Sequence, residues 1–166
     1  MKVRDIMSKG VITVGREESL REISKIFHEN RISGAPVVDN EGKLLGMLSE
    51  SDIVGAAKPL ERKLRLIYPS LSLMSVTFEQ SAKEKDMAEV VRELQQMRAE
   101  EVMTPDVHVI GPEESIQKAV ILMNENQVNR LPVIEDDSLV GIITRADIIH
   151  YLAGLDLSAI GRAEEP

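Results

Sequence analysis

Apolar and polar positions follow the same course twice along the chain. A β-rich run, a set of apolar residues at helical spacing and a Pro-Val run occupy residues 3–38, and residues 99–134 repeat this order. Met7 corresponds to Met103 and Pro36 to Pro132, each with the same displacement along the chain. Self-similarity of this kind predicts a duplicated supersecondary unit of about fifty residues.

Three runs in each copy predict strands. The first is rich in β-branched residues and closes with glycine, and the other two are separated by a short acidic turn that suits a hairpin. The runs are Val11–Val14, Pro36–Val38 and Leu44–Leu48 in the first copy, and Val107–Ile110, Pro132–Ile134 and Leu139–Ile143 in the second.

A helix follows the first strand in each copy. Ser19 and Glu22 have the spacing of a capping box, which predicts a helix that extends to about Asn30. The second copy retains the cap residue as Ser115 but has Lys118 in place of the acid. We therefore expect its N-terminal cap to be weaker.

A second helix should open at Ser49 in the first copy and at Thr144 in the second, which makes the order of each copy β-α-β-β-α. Every element has an apolar face that a single copy is too small to bury. The pattern predicts an α/β (α+β) fold in which the two copies pack together with pseudo-two-fold symmetry.

Composition narrows the class of protein. The chain has 166 residues, 43% of them hydrophobic, with two Phe, two Tyr and no Cys. The core should be aliphatic, and neither disulfides nor thiolate metal sites are available. No apolar run is long enough for a membrane span and no signal peptide is evident, so a cytoplasmic location is expected and a membrane partner is not.

Charge and histidine placement disfavour two functional classes. The net charge is −8, and the part of the chain from Ala99 onward carries four basic against thirteen acidic residues, so direct nucleic-acid binding is not expected. His28, His108 and His150 have no metalloprotease spacing, and no nucleophile elbow or phosphate-binding glycine loop occurs. We expect no catalytic site, no metal site and no enzymatic activity.

Two short motifs carry the candidate chemistry. Ser49 precedes Asp52 by three residues, and Thr144 precedes Asp147 in the same way. One interpretation is helix capping alone, since a hydroxyl three residues before an acid is a capping box. The other is a clamp for a vicinal diol, because a carboxylate at a helix start can accept hydrogen bonds from adjacent hydroxyls. Both roles are compatible.

The chain resembles a tandem pair of CBS domains, the arrangement called a Bateman module. The similarity rests on the Asp5-Ile6-Met7 and Glu101-Val102-Met103 openings, the Pro-Val strands, and a Gly-x-x-Ser/Thr-x-x-Asp motif in each copy. It implies CBS domains at 1–58 and 99–158. Residues 59–98 would then form an extended linker with a helix from about 82 to 97, and residues 159–166 a C-terminal tail.

The resemblance also implies a ligand. Similar proteins bind adenosyl ligands such as AMP, ADP, ATP or S-adenosylmethionine in clefts between the repeats, with the Asp on the ribose and the Ser or Thr hydroxyl nearby. Strand residues would enclose the adenine. By position these are Thr13, Ala35, Pro36 and Val37 in one copy, and Val109, Leu131, Pro132 and Val133 in the other.

The two predicted sites differ in basic residues. Arg130 precedes Pro132 by two residues and Arg145 follows Thr144, whereas the first copy has Gly34 and Glu50 at these positions. Phosphate recognition favours Arg, so we expect it to depend on Arg130 and Arg145, with a less anionic ligand or none at the other site. The alternative for both arginines is a role in surface solubility.

Two functional classes follow. The first is a regulatory sensor that binds an adenosyl ligand and modulates an unidentified partner protein. The second is a scaffold or oligomerisation module that needs no ligand. The apolar residues of the last helix of each copy would supply a homodimer face, or would merely close the core. They are Ile53, Val54, Ile148, Ile149, Tyr151, Leu152 and Leu155.

Overall fold

The computed structural model describes residues 1–57 and 88–154, and their contacts divide into two compact units. The first-repeat unit contains the described residues of Ile12–Asp106. The second-repeat unit contains Met1–Val11 together with the described residues from Val107 onward. The segment that opens each sequence repeat therefore belongs to the unit formed by the other repeat.

A three-stranded sheet forms the centre of the first-repeat unit. Strand β1 (Val14–Gly15) pairs in parallel with β2 (Gly34–Val38), which forms an antiparallel hairpin with β3 (Leu44–Ser49). The helices of this unit are α1 (Leu20–Asn30), α2 (residues 50–57), α3 (residues 88–96) and α4 (Ala99–Val102).

Helix α1 begins at a complete capping box, as predicted. Ser19 Oγ accepts a hydrogen bond from the Glu22 amide at 3.3 Å, and Glu22 Oε2 accepts from the Ser19 amide at 3.0 Å. The bond from the Ser19 amide, followed by one that the Ser19 hydroxyl donates to Glu22 Oε2 at 2.8 Å, lowers the pKa of Glu22 below its ordinary value. The helix ends where Arg31 adopts a left-handed conformation at φ 53°, which confirms the predicted end at Asn30.

The core of the first-repeat unit is aliphatic apart from one Phe. It unites the inner face of α1, the sheet and the first residue of α4. Its buried members are Val14, Leu20, Ile23, Phe27, Ala35, Val37, Leu48 and Ala99. Because Ala99 is fully buried there, the opening segment of the second sequence repeat contributes to the core of the first-repeat unit.

The second-repeat unit contains the antiparallel hairpin of β4 (Arg130–Glu135) and β5 (Ser138–Thr144). Helix α5 (Ile116–Glu125) precedes the hairpin and α6 (Arg145–Gly154) follows it, while a short 3₁₀ turn at Val3–Asp5 completes the unit. The buried core comprises Val3, Ile110, Ile116, Ala119, Met123, Leu131, Val133, Ile143 and Ile148.

The weaker cap predicted for α5 is confirmed. Ser115 Oγ accepts from the Lys118 amide at 3.2 Å, but Lys118 carries no acceptor that could return a bond to Ser115. Its ammonium group donates instead to Glu114 at 2.7 Å. The two copies therefore share the cap residue and differ in the reciprocal half of the box.

The first strand of each copy is shorter than the sequence predicted. The prediction of a strand over Val11–Val14 was wrong in extent, because only Val14 and Gly15 pair with β2. Val107–Ile110 was also wrong as a strand, since it is reduced to one parallel bridge between Ile110 and Val133. β propensity marks residues suited to a strand, but the length of a strand depends on how many backbone partners run beside it.

The opening segments attach to the hairpins by the same backbone contact. Met47 and Thr104 exchange two backbone hydrogen bonds of 2.9 and 2.8 Å in the first-repeat unit. Ser8 and Ile142 do the same in the second-repeat unit, at 2.9 and 3.0 Å. The matching geometry shows that both hairpins receive an added edge of backbone from a distant part of the sequence.

Close packing against a glycine accompanies each of these contacts. A Cβ added at Gly46 would lie 2.7 Å from Met103 Sδ, and one at Gly141 would lie 2.6 Å from Met7 Sδ. A side chain at either position would require the methionine to shift, and at Gly46 it would also lie 2.8 Å from the backbone carbonyl oxygen of Thr104.

Several predictions fall on residues outside the described ranges. These are the start of the predicted linker helix, most of the linker itself, Leu155 and the C-terminal tail, whereas the described part of that helix, residues 88–96, is helical. Among the described residues, no helix combines the length and apolarity that crossing a membrane would require.

Candidate functional site

The carboxylate of Asp52 lies at the junction of β3 and α2. Its Oδ2 atom accepts hydrogen bonds from the Ser49 amide at 2.7 Å and from the Ser49 hydroxyl at 2.6 Å. Each carboxylate oxygen offers about two acceptor positions, so both positions on Oδ2 are used by the cap. The capping interpretation therefore accounts for one oxygen of Asp52.

Asp147 repeats this geometry at the junction of β5 and α6. Its Oδ2 atom accepts from the Thr144 amide and from the Thr144 hydroxyl, each at 2.7 Å. The Asp147 amide returns a hydrogen bond of 3.2 Å to the Thr144 hydroxyl. The remaining oxygen of each partly buried carboxylate is the one that a ligand could use.

The other oxygen of Asp52 has one neighbour that the sequence analysis missed. Thr104 Oγ1 donates to Asp52 Oδ1 at 3.5 Å, and Thr104 is brought there by its backbone pairing with Met47. The signal available in the sequence was a hydroxyl residue directly after the methionine of each repeat opening, Thr104 and Ser8.

Arg130 and Arg145 lie at the same end of the second hairpin as Thr144. Arg130 is directly opposite Thr144 in the β4–β5 register, and the Arg145 amide donates to the Asn129 carbonyl at 3.0 Å. The structure thus brings the two predicted phosphate-binding arginines to the end of the hairpin that leads into Asp147.

The first-repeat unit has a different set of residues at the equivalent end. Gly34 is opposite Ser49, and the Glu50 amide donates to the Ser33 carbonyl at 3.1 Å. A groove of about 670 Å³ opens beside Ser33 and Glu50, and both acidic and basic residues line it. They are Phe27, His28, Glu29, Arg31, Ile32, Ser33 and Glu50.

Each unit contains four of the eight residues predicted to enclose an adenine. Ala35 and Val37 in one unit, and Leu131 and Val133 in the other, are fully buried members of the cores. The two prolines are also buried, whereas Thr13 is partly exposed and Val109 is 43% exposed. Buried strand side chains face the core. The groups of these strands that a ligand could contact are therefore their backbone atoms and the more exposed side chains.

A family comparison matches both repeats of the chain. The model of the CBS domain aligns with residues 3–58 and again with residues 99–154. The chain belongs to the CBS-domain family. Its mixed α and β architecture with two CBS repeats is the fold predicted from the sequence.

Proteins of similar length are among its relatives. Protein MJ1426 of Methanocaldococcus jannaschii is 38% identical over 154 residues, which cover 92% of this chain and 91% of the relative. Hypoxic response protein 1 of Mycobacterium tuberculosis strain H37Rv is 30% identical over 90% of this chain and 83% of its own length.

Solved CBS-domain pairs have the same fold. The CBS domain pair of protein MJ0100, in complex with 5′-methylthioadenosine and S-adenosyl-L-methionine, has a TM-score of 0.66 and 26% identity. The match covers 93% of this chain and 97% of that one. The fold of CBSX2, solved in complex with AMP, matches with a TM-score of 0.68 at 21% identity, over 93% of this chain and 98% of that one.

Proposed function

We propose that this CBS pair is a regulatory sensor that binds adenosyl ligands through the carboxylates of Asp52 and Asp147. The observation that carries the proposal is that the two oxygens of each carboxylate have different hydrogen-bonding roles. Oδ2 is saturated by the cap, which fixes the carboxyl group in place, and Oδ1 retains acceptor capacity for a ligand hydroxyl.

The chemistry of Oδ1 favours a ribose. It is an anionic acceptor on a partly buried side chain, and hydrogen bonds to an ionised acceptor are about twice as strong as neutral ones. The solved pair of protein MJ0100 holds two adenosyl compounds, which supports the same ligand class for this chain. We propose the predicted strand residues, from Thr13 to Val37 and from Val109 to Val133, as the surroundings of the adenine.

We further propose that the two sites accept different ligands. Arg130 and Arg145 beside the Asp147 site favour a nucleotide phosphate, because a guanidinium can bind it with two parallel hydrogen bonds. Glu50 at the equivalent position beside Asp52 would repel a phosphate. A neutral or cationic adenosyl ligand such as S-adenosylmethionine suits that site better.

The regulatory output is proposed to pass to a partner protein or through a homodimer. Val54, Ile149 and Leu152 are 67%, 61% and 52% exposed, which supports the predicted dimer face. Ile148, in contrast, is buried in the core, and Ile53 and Tyr151 pack against the cores. We propose no enzymatic activity, and domain bounds of 1–58 and 99–158.

Calorimetric titration of the purified chain with AMP, ADP, ATP and S-adenosylmethionine tests the proposal. We expect saturable binding, and a loss of about 2–3 kcal/mol, roughly a hundredfold in affinity, at the altered site in Asp52→Ala and in Asp147→Ala. Absence of saturable binding at millimolar ligand, or unchanged affinity in both variants, would favour the ligand-independent scaffold instead.

The variants Asp52→Asn and Asp147→Asn provide a control for folding. An Asn side chain can keep its carbonyl oxygen at the Oδ2 position, where the cap needs it, and places an uncharged amide group at the Oδ1 position. These variants should unfold close to the wild-type temperature and still bind ligand more weakly. Weak binding with intact folding separates the ligand role of the carboxylate from its capping role.

A further inference from the structure

The Asp52 carboxylate has fewer free acceptor positions than a ribose diol requires. Both positions on Oδ2 are taken by Ser49, and one position on Oδ1 faces Thr104. A single position on Oδ1 is left, which can accept from one ligand hydroxyl. A vicinal diol held at this site while the 3.5 Å contact from Thr104 persists therefore needs a second acceptor nearby.

Thr104 supplies such an acceptor. Its hydroxyl has one proton, which it donates to Asp52 Oδ1, and two lone pairs that remain able to accept. Oγ1 and Oδ1 are 3.5 Å apart, so neighbouring hydroxyls of one ligand can reach both atoms. Thr104 is exposed, and its backbone is fixed by two hydrogen bonds to Met47.

In the part of the chain that the structure describes, the second-repeat unit lacks the corresponding contact between the opening segment and the aspartate. Ser8 is paired with Ile142 just as Thr104 is paired with Met47. Within the described residues, however, the Ser8 hydroxyl forms no hydrogen bond with Asp147. Among the described residues, the contact between the hydroxyl of an opening segment and the aspartate is therefore found at Asp52 and not at Asp147.

We infer that Thr104 is a ligand-binding residue of the Asp52 site and that its hydroxyl accepts the second hydroxyl of the ribose. The inference rests on the proposed function and adds a residue, and a requirement for an intact diol, to that site. Thr104 comes from the opening segment of the second sequence repeat, so ligand binding at Asp52 involves both sequence repeats.

The test uses adenosine, 2′-deoxyadenosine and 3′-deoxyadenosine as probes of the Asp52 site in an Asp147→Asn background. With Thr104 intact, loss of the hydroxyl that contacts Thr104 should weaken binding about tenfold. In Thr104→Val, adenosine itself should bind about tenfold more weakly, and one of the two deoxy compounds should show no further loss. Thr104→Ser should behave like the unaltered protein because it retains the hydroxyl.

Two controls make the result decisive. Thr104→Ala removes the same atom with a smaller side chain and should reproduce Thr104→Val, and the melting temperature of each variant reports its folding. Ser8→Ala, in the other unit, should leave adenosine affinity at Asp52 unchanged. Equal adenosine affinity in folded Thr104→Val and Thr104→Ser would overturn the inference while leaving the role of Asp52 intact. Absence of adenosine binding with Thr104 intact would overturn the proposed function itself.

Discussion

The two units share a scaffold and differ in the residues placed around it. In both, a hydroxyl residue and an aspartate join a hairpin to a helix with nearly identical hydrogen bonds. Around Asp147 are two arginines from the same hairpin end, whereas a glycine, a glutamate and Thr104 surround Asp52. The duplication explains the common carboxylate, and the residues that differ between the copies are the basis for proposing a different ligand at each site.

Substitutions beneath the two opening segments should have the largest effect of the changes that test this comparison. A Cβ at Gly46 would lie 2.8 Å from the Thr104 carbonyl oxygen, while one at Gly141 would lie 3.1 Å from that of Ser8. Backbone yields less readily than the tip of a methionine. We therefore expect Gly46→Ala to destabilise the protein by about 1–3 kcal/mol and Gly141→Ala by less.

Urea unfolding of the two glycine variants measures this difference. Gly10→Ala is the matched control, because nothing lies within 4 Å of an added Cβ there. A larger loss of stability in Gly141→Ala than in Gly46→Ala would show that the two segments do not pack as described.

The helix caps give a smaller effect. Glu22→Ala removes the reciprocal half of the α1 box, whereas Lys118→Ala removes only an exposed ion pair, so the first should lower the melting temperature and the second should hardly change it. Thermal unfolding of both variants at pH 7 checks the difference. Equal shifts would mean that the reciprocal bond contributes nothing.

The Glu22 contribution should also depend on pH in a defined direction. Hydrogen bonds from Ser19 lower the pKa of Glu22 in the folded protein below the ordinary 4.5. Its stabilising effect is then fully present above pH 4.5 and is lost as the pH falls through the lower, folded value. The gap in melting temperature between wild type and Glu22→Ala should therefore narrow in acid.

Local chemistry was the part of the fold that the sequence made predictable. The capping box at Ser19 determined where α1 begins, and two apolar runs on either side of a short acidic turn located each hairpin. These features depend on neighbouring residues, so a single sequence contains the information. The same is true of the capping contact in each Ser/Thr-x-x-Asp motif.

Features that depend on distant residues were less accessible. The repeat shows that Met7 resembles Met103, but it does not reveal that each packs on the hairpin of the other copy. Thr104 was missed for the same reason, since it meets Asp52 only after this exchange. The shortening of Val107–Ile110 to a single bridge likewise depends on which backbone lies beside it.

The central claim is that the two carboxylates serve unequal sites. It is tested most directly by titrating AMP and S-adenosylmethionine into Asp52→Asn, which leaves the Asp147 site, and into Asp147→Asn, which leaves the Asp52 site. We predict that the preference for AMP is at least about tenfold greater in Asp52→Asn, and that adding Arg130→Ala removes most of that preference. Equal preferences in the two single variants, or a preference insensitive to Arg130, would contradict the account.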